Sequence, residues 1–469
     1  MNFNSLEFLV FFPAVFLLHW ALPHRFRWAL LLAASWLFYF WWNPWTGLLL
    51  VGTTLVSWLC ARGISRSESS GVRRALLIIA LASSLGCLGI FKYAGFIASV
   101  AGLTLAMRII LPVGISFYTF QTLSYVIDVY RGQVPAEEHF GYYALFVAFF
   151  PQLVAGPIER PENLLPQLRA KRTLRAQNLS AGGWLLLEGY FKKIVIADSV
   201  APFVDRVYGA PGIAFGPEIV LATLLFGIQI YCDFSGYSSI ARGAAKLLGV
   251  DLMENFRRPY GARTVREFWR RWHISLTGWF TDYVYIPLGG SRRGLTRQAV
   301  NILIVFLLSG LWHGAGWTFV IWGLIHGLYQ VGGVLLSRVR ERSGAARTAR
   351  EGVEGRKGCR AVTALGQART FLLVSFPWLF FRAASMGDAA VLLSRLATGW
   401  GSAGASLAKV WPLALPLLCL PLSERLTDSR NRDAVACALA AFCLVTANGL
   451  CWLTQLAGGG QNAFIYFQF

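Results

Sequence analysis

Apolar runs long enough to cross a bilayer recur along the whole chain, separated by short segments rich in arginine and lysine. A helix of about 20 apolar residues spans the hydrocarbon core, so the pattern predicts an all-α polytopic membrane protein. The predicted spans lie near 6–22, 28–42, 47–61, 76–91, 109–127, 219–232, 302–312, 317–336, 371–381, 413–420 and 434–456. Some runs depart from this simple alternation. In the span at 109–127, Pro112, Gly114, Ser116, Thr119, Gln121 and Ser124 are too polar for a lipid-facing helix, and they belong where protein or a water-filled cavity surrounds them. Pro151 and Pro157 interrupt the next apolar stretch, predicting a broken or re-entrant element. The stretch 181–200 carries Glu188, Lys192, Lys193 and Asp198 on an apolar background, with Glu188 and Lys192 in the favoured i, i+4 order. Residues 233–297 form the polar centre of the chain. There, arginines crowd beside Phe256, Tyr260, Phe268, Trp269 and Trp272, a composition suited to helices lying in the membrane interface. Residues 337–360 are charged and of low complexity, and they predict a mobile cytoplasmic loop.

Composition sharpens this reading. Of 469 residues, 56% are hydrophobic and 14% charged, too little charge to cover a soluble protein of this size. The formal charge of +20 would suggest nucleic acid in a soluble domain. Here the basic residues sit between apolar runs, as cytoplasmic loops do under the positive-inside rule. That distribution argues against nucleic acid and for anionic lipid headgroups or an anionic nucleotide substrate. The loop bearing Arg62, Arg66, Arg73 and Arg74 should be cytoplasmic. The first span has its basic flank, Arg25 and Arg27, after it, which marks an uncleaved helix with an outside N-terminus. The eight cysteines show neither a C-x-x-C pair nor a metal-ligand spacing, so they read as reduced structural residues and no metal site is expected.

Six histidines carry the remaining chemistry. His19, His24 and His139 read as interfacial or solvated. His313 differs, because it lies in the apolar stretch "LSGLWHGAGWTFVIWGLIHG", where an ionisable group is expensive and functional by default. Its small neighbours Ser309, Gly310, Gly314, Ala315 and Gly316 would admit a substrate or another helix. His326 follows 13 positions later, about 140° round from His313 if one helix runs through both, and so reads as a packing residue. His273 sits 40 positions before His313, after the arginine cluster. The chain has no nucleophile elbow, Walker A motif or H-E-x-x-H site. A neutral histidine without a partner nucleophile suits general-base work on a substrate hydroxyl.

The segments "DFSGYSSIARGAAKLLG", "MENFRRPY", "REFWRRWHISLTGWFTDYVYIPLGG" and "LSGLWHGAGWTFVIWGLIHG", in this order, resemble the membrane-bound O-acyltransferase family, and within it the bacterial alginate O-acetyltransferase branch. "LPVGISFYTFQTLSYVIDVYRG", "FFPQLVAGPI", "YFKKIVIAD" and "FFRAA" extend the likeness over roughly residues 1–385. The resemblance implies one membrane domain over 1–469. It would have 11–13 transmembrane segments, a motif-bearing core at 108–336, a variable cytoplasmic loop at 337–369 and C-terminal helices at 370–469. It also implies a ring of tilted helices around a central tunnel, with interfacial and re-entrant helices.

His313 matches the family's catalytic histidine, and His273 matches a second position that other branches fill with asparagine. Asp233, Ser235, Tyr237, Trp312 and Asp282 become candidates for shaping the tunnel, and Arg257, Arg258, Arg270 and Arg271 for holding an anionic donor. The implied activity is O-acyl transfer at the bacterial inner membrane. An acetyl group would pass from a cytoplasmic thioester to an extracytoplasmic polysaccharide such as alginate. Acetyl-CoA, another acyl-CoA or an acyl-carrier thioester would be co-substrate, with no bound cofactor. The expected partners are the lipid bilayer and an extracytoplasmic SGNH-type transferase or a polysaccharide secretion complex. D-alanyl or other acyl transfer to a cell-wall polymer is the alternative within the family. A transporter using His313 as proton relay is the alternative outside it, and the sequence lacks the internal repeats such a protein would show.

Overall fold

The computed structural model describes residues 1–103, 110–154, 156–342, 356–400 and the single positions 445, 449 and 464. All regular structure among the described residues is helical. Six of these helices are long and apolar enough to cross a membrane: Pro44–Arg66, Ser70–Val100, Gly216–Leu247, Leu295–His313, Trp317–Val339 and Val362–Arg382, with the shorter apolar Leu6–Ala21 beside them. The predicted spans 413–420 and 434–456 lie largely outside the described residues. Packing divides the chain into two compact units. The first holds residues 1–195, 232–254 and 419–468, and the second 196–231, 255–418 and 469.

The first unit begins with α1 (Leu6–Ala21), α2 (His24–Phe40), α3 (Pro44–Arg66) and α4 (Ser70–Leu88). Local sequence sets these starts. Ser5 Oγ accepts the Phe8 N–H of α1, and Asn43 Oδ1 accepts the Trp45 N–H of α3, whose first residue is Pro44. Both are the side-chain caps that satisfy orphan donors of a helix's first turn. His19, read from sequence as interfacial or solvated, is instead buried at the end of α1.

The polar helix α5 (Ile115–Tyr130) is enclosed by protein, with Ser116, Thr119, Gln121, Thr122 and Ser124 all buried. Gln121 Nε2 donates to the Phe146 carbonyl at 2.6 Å, which is how a polar side chain remains tolerable at that depth. The broken element also exists. Helix α6 (Phe140–Ala148) stops at Phe149, and a four-residue helix, Phe150–Leu153, restarts with Pro151 in its first turn.

Before α7 (Pro161–Arg169), Glu159 is wholly buried. It accepts a hydrogen bond from Met253 N–H and another from Asn163 Nδ2 at 2.7 Å. Burial pushes its carboxyl up from the usual 4.5 to about 7, against the pull of those hydrogen bonds. Between about pH 4.5 and 7 the folded chain therefore keeps a proton that the unfolded chain has lost, so stability falls as pH rises through that window. Thermal scans in detergent should show the unfolding midpoint dropping from the acidic to the neutral end of this window, and Glu159→Gln should flatten the slope. An unchanged slope in the variant would reject this role for Glu159.

After α8 (Ala176–Tyr190), a π turn over Phe191–Ala197 leads into α9 (Asp198–Gly209). The polar run from Asp233 does not end the helix before it, as the sequence suggested. Helix α10 continues from Gly216 to Leu247 as one element of 32 residues. Asp233, Ser235, Tyr237 and Ser238 are buried within it. Two features of the first unit make that possible. Lys193, on the π turn, reaches Asp233 at 2.6 Å, and the two side chains are 1% and 3% exposed. Lys192 pairs with Glu188 at 2.6 Å. The backbones of α8 and α10 also touch: a Cβ on Gly189 would stand 2.7 Å from the Gly236 carbonyl, and one on Gly236 would stand 2.8 Å from the Gly189 carbonyl. Small residues at matching positions permit such contact.

Breaking a buried ion pair by removing one member costs about 3–5 kcal/mol, whereas replacing both with apolar groups can be neutral. Lys193→Met alone should therefore lower the melting midpoint sharply, and Lys193→Met with Asp233→Leu should recover most of it. Equal loss in the single and double variants would contradict this account.

The second unit contains the short helices α11 (Val265–Trp269) and α12 (Ile274–Phe280) and the hairpin of α13 (Leu295–His313) and α14 (Trp317–Arg342). It continues with α15 (Arg356–Ser375), α16 (Trp378–Arg382) and α17 (Met386–Thr398). The charge pattern predicted a loop over 337–360, but helix α14 runs on through 337–342 and α15 starts at Arg356; residues 343–355 lie outside the described residues. Arginine and glutamate are good helix formers, so charge alone does not end a helix.

Candidate active site

Helix α13 ends at His313 because Gly314 takes an extended backbone, with φ −163° and ψ 149°, and the helical path resumes only at Trp317. The glycines of "HGAGW" thus make a corner. The sequence argument that placed His326 about 140° from His313 assumed one continuous helix, and the corner removes that premise. The chain folds back so that α13 and α14 lie backbone to backbone. A Cβ on Gly310 would stand 2.3 Å from the Phe319 carbonyl, and one on Gly323 would stand 2.3 Å from the Phe306 carbonyl. The small residues around His313 admit a neighbouring helix, which is one of the two uses the sequence allowed.

This fold-back surrounds His313 with rings. The imidazole is 3% exposed. Trp312 lies 5.0 Å from it between centroids, Trp322 5.1 Å and Phe381 5.4 Å, each edge-on. Edge-to-face contacts of this kind fix a ring's orientation and contribute about 0.5–1.5 kcal/mol each. His326 is wholly buried and enters the same cluster, 4.9 Å from Trp322 and 5.0 Å from Trp269. Trp322 therefore touches both histidines. Trp322 and His326 are four residues apart on α14, the spacing that puts two side chains on one helix face. That signal was present in the sequence and was masked by the continuous-helix assumption.

His273 comes to the same place, 6.5 Å from His313 and 5.8 Å from Trp312 between ring centroids. It is the residue before α12 and is wholly buried. Its backbone is left-handed, with φ 44° and ψ 55°. A non-glycine residue there costs of order 1 kcal/mol and persists only where its surroundings over-determine it. Those surroundings are visible. Ile274 N–H donates to the Asn255 carbonyl at 2.9 Å, Ser275 Oγ donates to Asn255 Oδ1 at 2.6 Å, and Arg257 N–H donates to the Arg271 carbonyl at 2.9 Å. The segment at 255–257 clamps the segment at 271–275 and turns the His273 ring inward. Burial pushes this imidazole down to about 3, so at neutral pH it is uncharged, with one N–H to donate and one nitrogen to accept.

The other candidates are distributed as follows. Trp312 is buried between the two histidines. Asp282 is exposed on a π turn after α12. Arg257, Arg258 and Arg270 are exposed, and Arg258, like His273, has positive φ. Arg271 is half-buried and paired with Glu267. Asp233, Ser235 and Tyr237 belong to the first unit. There Asp233 is held by Lys193, and Tyr237 lies 4.3 Å from Phe464 and 5.5 Å from Phe3 between ring centroids.

Paired buried histidines beside the end of a spanning helix suit acyl transfer, and comparison with known proteins points the same way. The model of the membrane-bound O-acyltransferase family matches residues 137–375, a stretch that contains both histidines. The chain belongs to this family. As a membrane-bound O-acyltransferase it is a multi-pass membrane enzyme, in keeping with its apolar helices. It is 38% identical to the "Probable alginate O-acetylase AlgI" of Azotobacter vinelandii, over 82% of this chain and 76% of that one. Identity to the Pseudomonas aeruginosa protein of the same name is 38%, over 82% of this chain and 73% of that one. The peptidoglycan O-acetyltransferase of Helicobacter pylori is 32% identical, over 94% of this acyltransferase and 91% of its own length.

Proposed function

We propose that this acyltransferase moves an acetyl group from a cytoplasmic thioester, acetyl-CoA, across the bacterial inner membrane for O-acetylation of an extracytoplasmic polysaccharide such as alginate. The observation that carries the chemistry is the His313–His273 pair, buried among tryptophans at the end of α13. The names of its relatives, a probable alginate O-acetylase and a peptidoglycan O-acetyltransferase, support acetyl as the group and a polysaccharide as the destination.

In this reading His313 takes the proton from the acceptor hydroxyl as its oxygen attacks the thioester carbonyl. The new C–O bond forms and the carbonyl oxygen becomes an oxyanion, to which neutral His273 donates its N–H. The C–S bond then breaks, and the proton on His313 passes to the leaving thiolate, giving an ester and a free thiol. The imidazolium formed on the way sits at the C-terminal end of α13, where the helix dipole favours positive charge. The surrounding rings keep out water that would hydrolyse the thioester. Arg257, Arg258, Arg270 and Arg271 supply cations for the donor's phosphates. An extracytoplasmic SGNH-type transferase or a secretion complex receives the acetyl group or the acetylated acceptor.

The test uses sealed vesicles containing the purified protein, with radiolabelled acetyl-CoA on the side of the arginine-rich loops and a hydroxyl acceptor on the other. Label esterified to the acceptor with release of free CoA supports the proposal. Label that crosses the membrane with its thioester intact would favour a transporter and reject it.

A further inference from the structure

The first unit has an open cleft where α1 meets α2 and the chain leaves α7 and α10. His19, His24, Arg27, Gln167 and Arg172 face it, with Trp28 on its apolar wall, and no carboxylate lines it among the described residues. These side chains are held in place. Arg27 Nε donates to the Leu22 carbonyl at 3.0 Å and its Nη1 to the Arg172 carbonyl at 2.9 Å, while its guanidinium lies over the Trp20 ring at 4.8 Å. His24 Nε2 lies 3.2 Å from the Arg169 carbonyl. The nearby acids are engaged elsewhere, Glu137 by Arg169 and Asp251 by Lys246. One buried donor is left over: among the described residues the Arg172 Nε is shielded from solvent and makes no hydrogen bond. His19, 4% exposed, is engaged by the Leu248 backbone. A buried guanidinium N–H without an acceptor, in a carboxylate-free cleft that a second arginine also lines, suits an anionic oxygen ligand.

Position narrows the ligand. The cleft lies at the end of the apolar helix α1, whose Leu17 and Leu18 are exposed. Phe26, at the start of α2, is exposed too. That is the level at which a helix leaves the hydrocarbon and meets headgroups. We propose that this cleft is a phosphate-ester site at the membrane surface, in which Arg172, Arg27 and His24 bind a phosphate borne by an anionic phospholipid or by the coenzyme A donor. Its lining shares no residue with the histidine pair's surroundings, and it does not depend on the reading of that pair.

The test uses the purified full-length protein in detergent and measures saturable binding of phosphatidylglycerol and, separately, of coenzyme A. Arg172→Gln is the chief variant, because the tether from Arg27 uses the Arg172 backbone carbonyl and survives the change. His24→Gln is the second variant, and an unshifted melting midpoint confirms that each is folded. Loss of one charge-assisted contact should weaken binding about tenfold. A loss seen with phosphatidylglycerol alone assigns a lipid phosphate, and one seen with coenzyme A alone assigns the donor's phosphates. Binding of both ligands unchanged in both variants, or no saturable binding of either to the wild-type protein, overturns the proposal. Repeating the measurement in a His313→Ala background, where binding should persist, separates this result from any failure of the catalytic reading.

Discussion

His313→Ala is expected to lower kcat for acetyl transfer by about 10²–10⁴-fold, the usual contribution of a general base, with the protein still folded. Among the described residues, the rings in contact with the imidazole, Trp312, Trp322 and Phe381, offer no group that accepts a proton, and a neutral His273 at 6.5 Å is held by its own clamp. Binding of the donor should change little, so KM for the thioester should stay near the wild-type value while kcat falls. His273→Ala should cost about 10²–10³-fold through the lost oxyanion contact. His273→Asn, which keeps an N–H donor, should recover part of that. Turnover measured with labelled acetyl-CoA on size-exclusion-pure protein decides the matter. His313→Ala protein turning over at the wild-type rate would remove His313 from the chemistry.

The second large effect is on folding. Gly310→Val should abolish recovery of monodisperse protein, because its Cβ would sit 2.3 Å from the Phe319 backbone carbonyl. Backbone cannot swing aside as a flexible side chain does, so the penalty should exceed the roughly 1–3 kcal/mol of ordinary overpacking. Gly332, on the same hairpin, has nothing within 4 Å of its Cβ position. Gly332→Ala should therefore fold normally and serve as the control. Recovery of well-folded Gly310→Val protein would mean that α13 and α14 do not approach as closely as described.

Much of this protein was legible in its residues because membrane helices announce themselves. Burying backbone in lipid demands runs of apolar residues at spanning length, and those runs gave the all-helical class and most element positions. The protein enclosure of α5 followed from its polar residues, and the break at Phe149 from its prolines. The candidate base His313 stood out because it is an ionisable group in an expensive setting, and His273 because it sits in a motif shared with a known family.

Other features depended on partners distant in sequence. Asp233 sits within an unbroken helix because Lys193, 40 positions earlier, neutralises it. No local pattern can show that, since a charge is affordable or not according to what faces it. Trp322 and His326 join the histidine site because two glycines turn a corner, and the face a residue presents beyond a corner is not set by helical period. The left-handed backbone at His273 is held by Asn255 and Ser275, groups whose pairing is a matter of loop packing. Sequence alone thus determined most of the apolar helices among the described residues and which side chains could do chemistry, because hydrophobic length and residue type are local properties. The tertiary structure decided which of those side chains meet, because meeting depends on backbone approach and charge pairing between segments far apart in the chain.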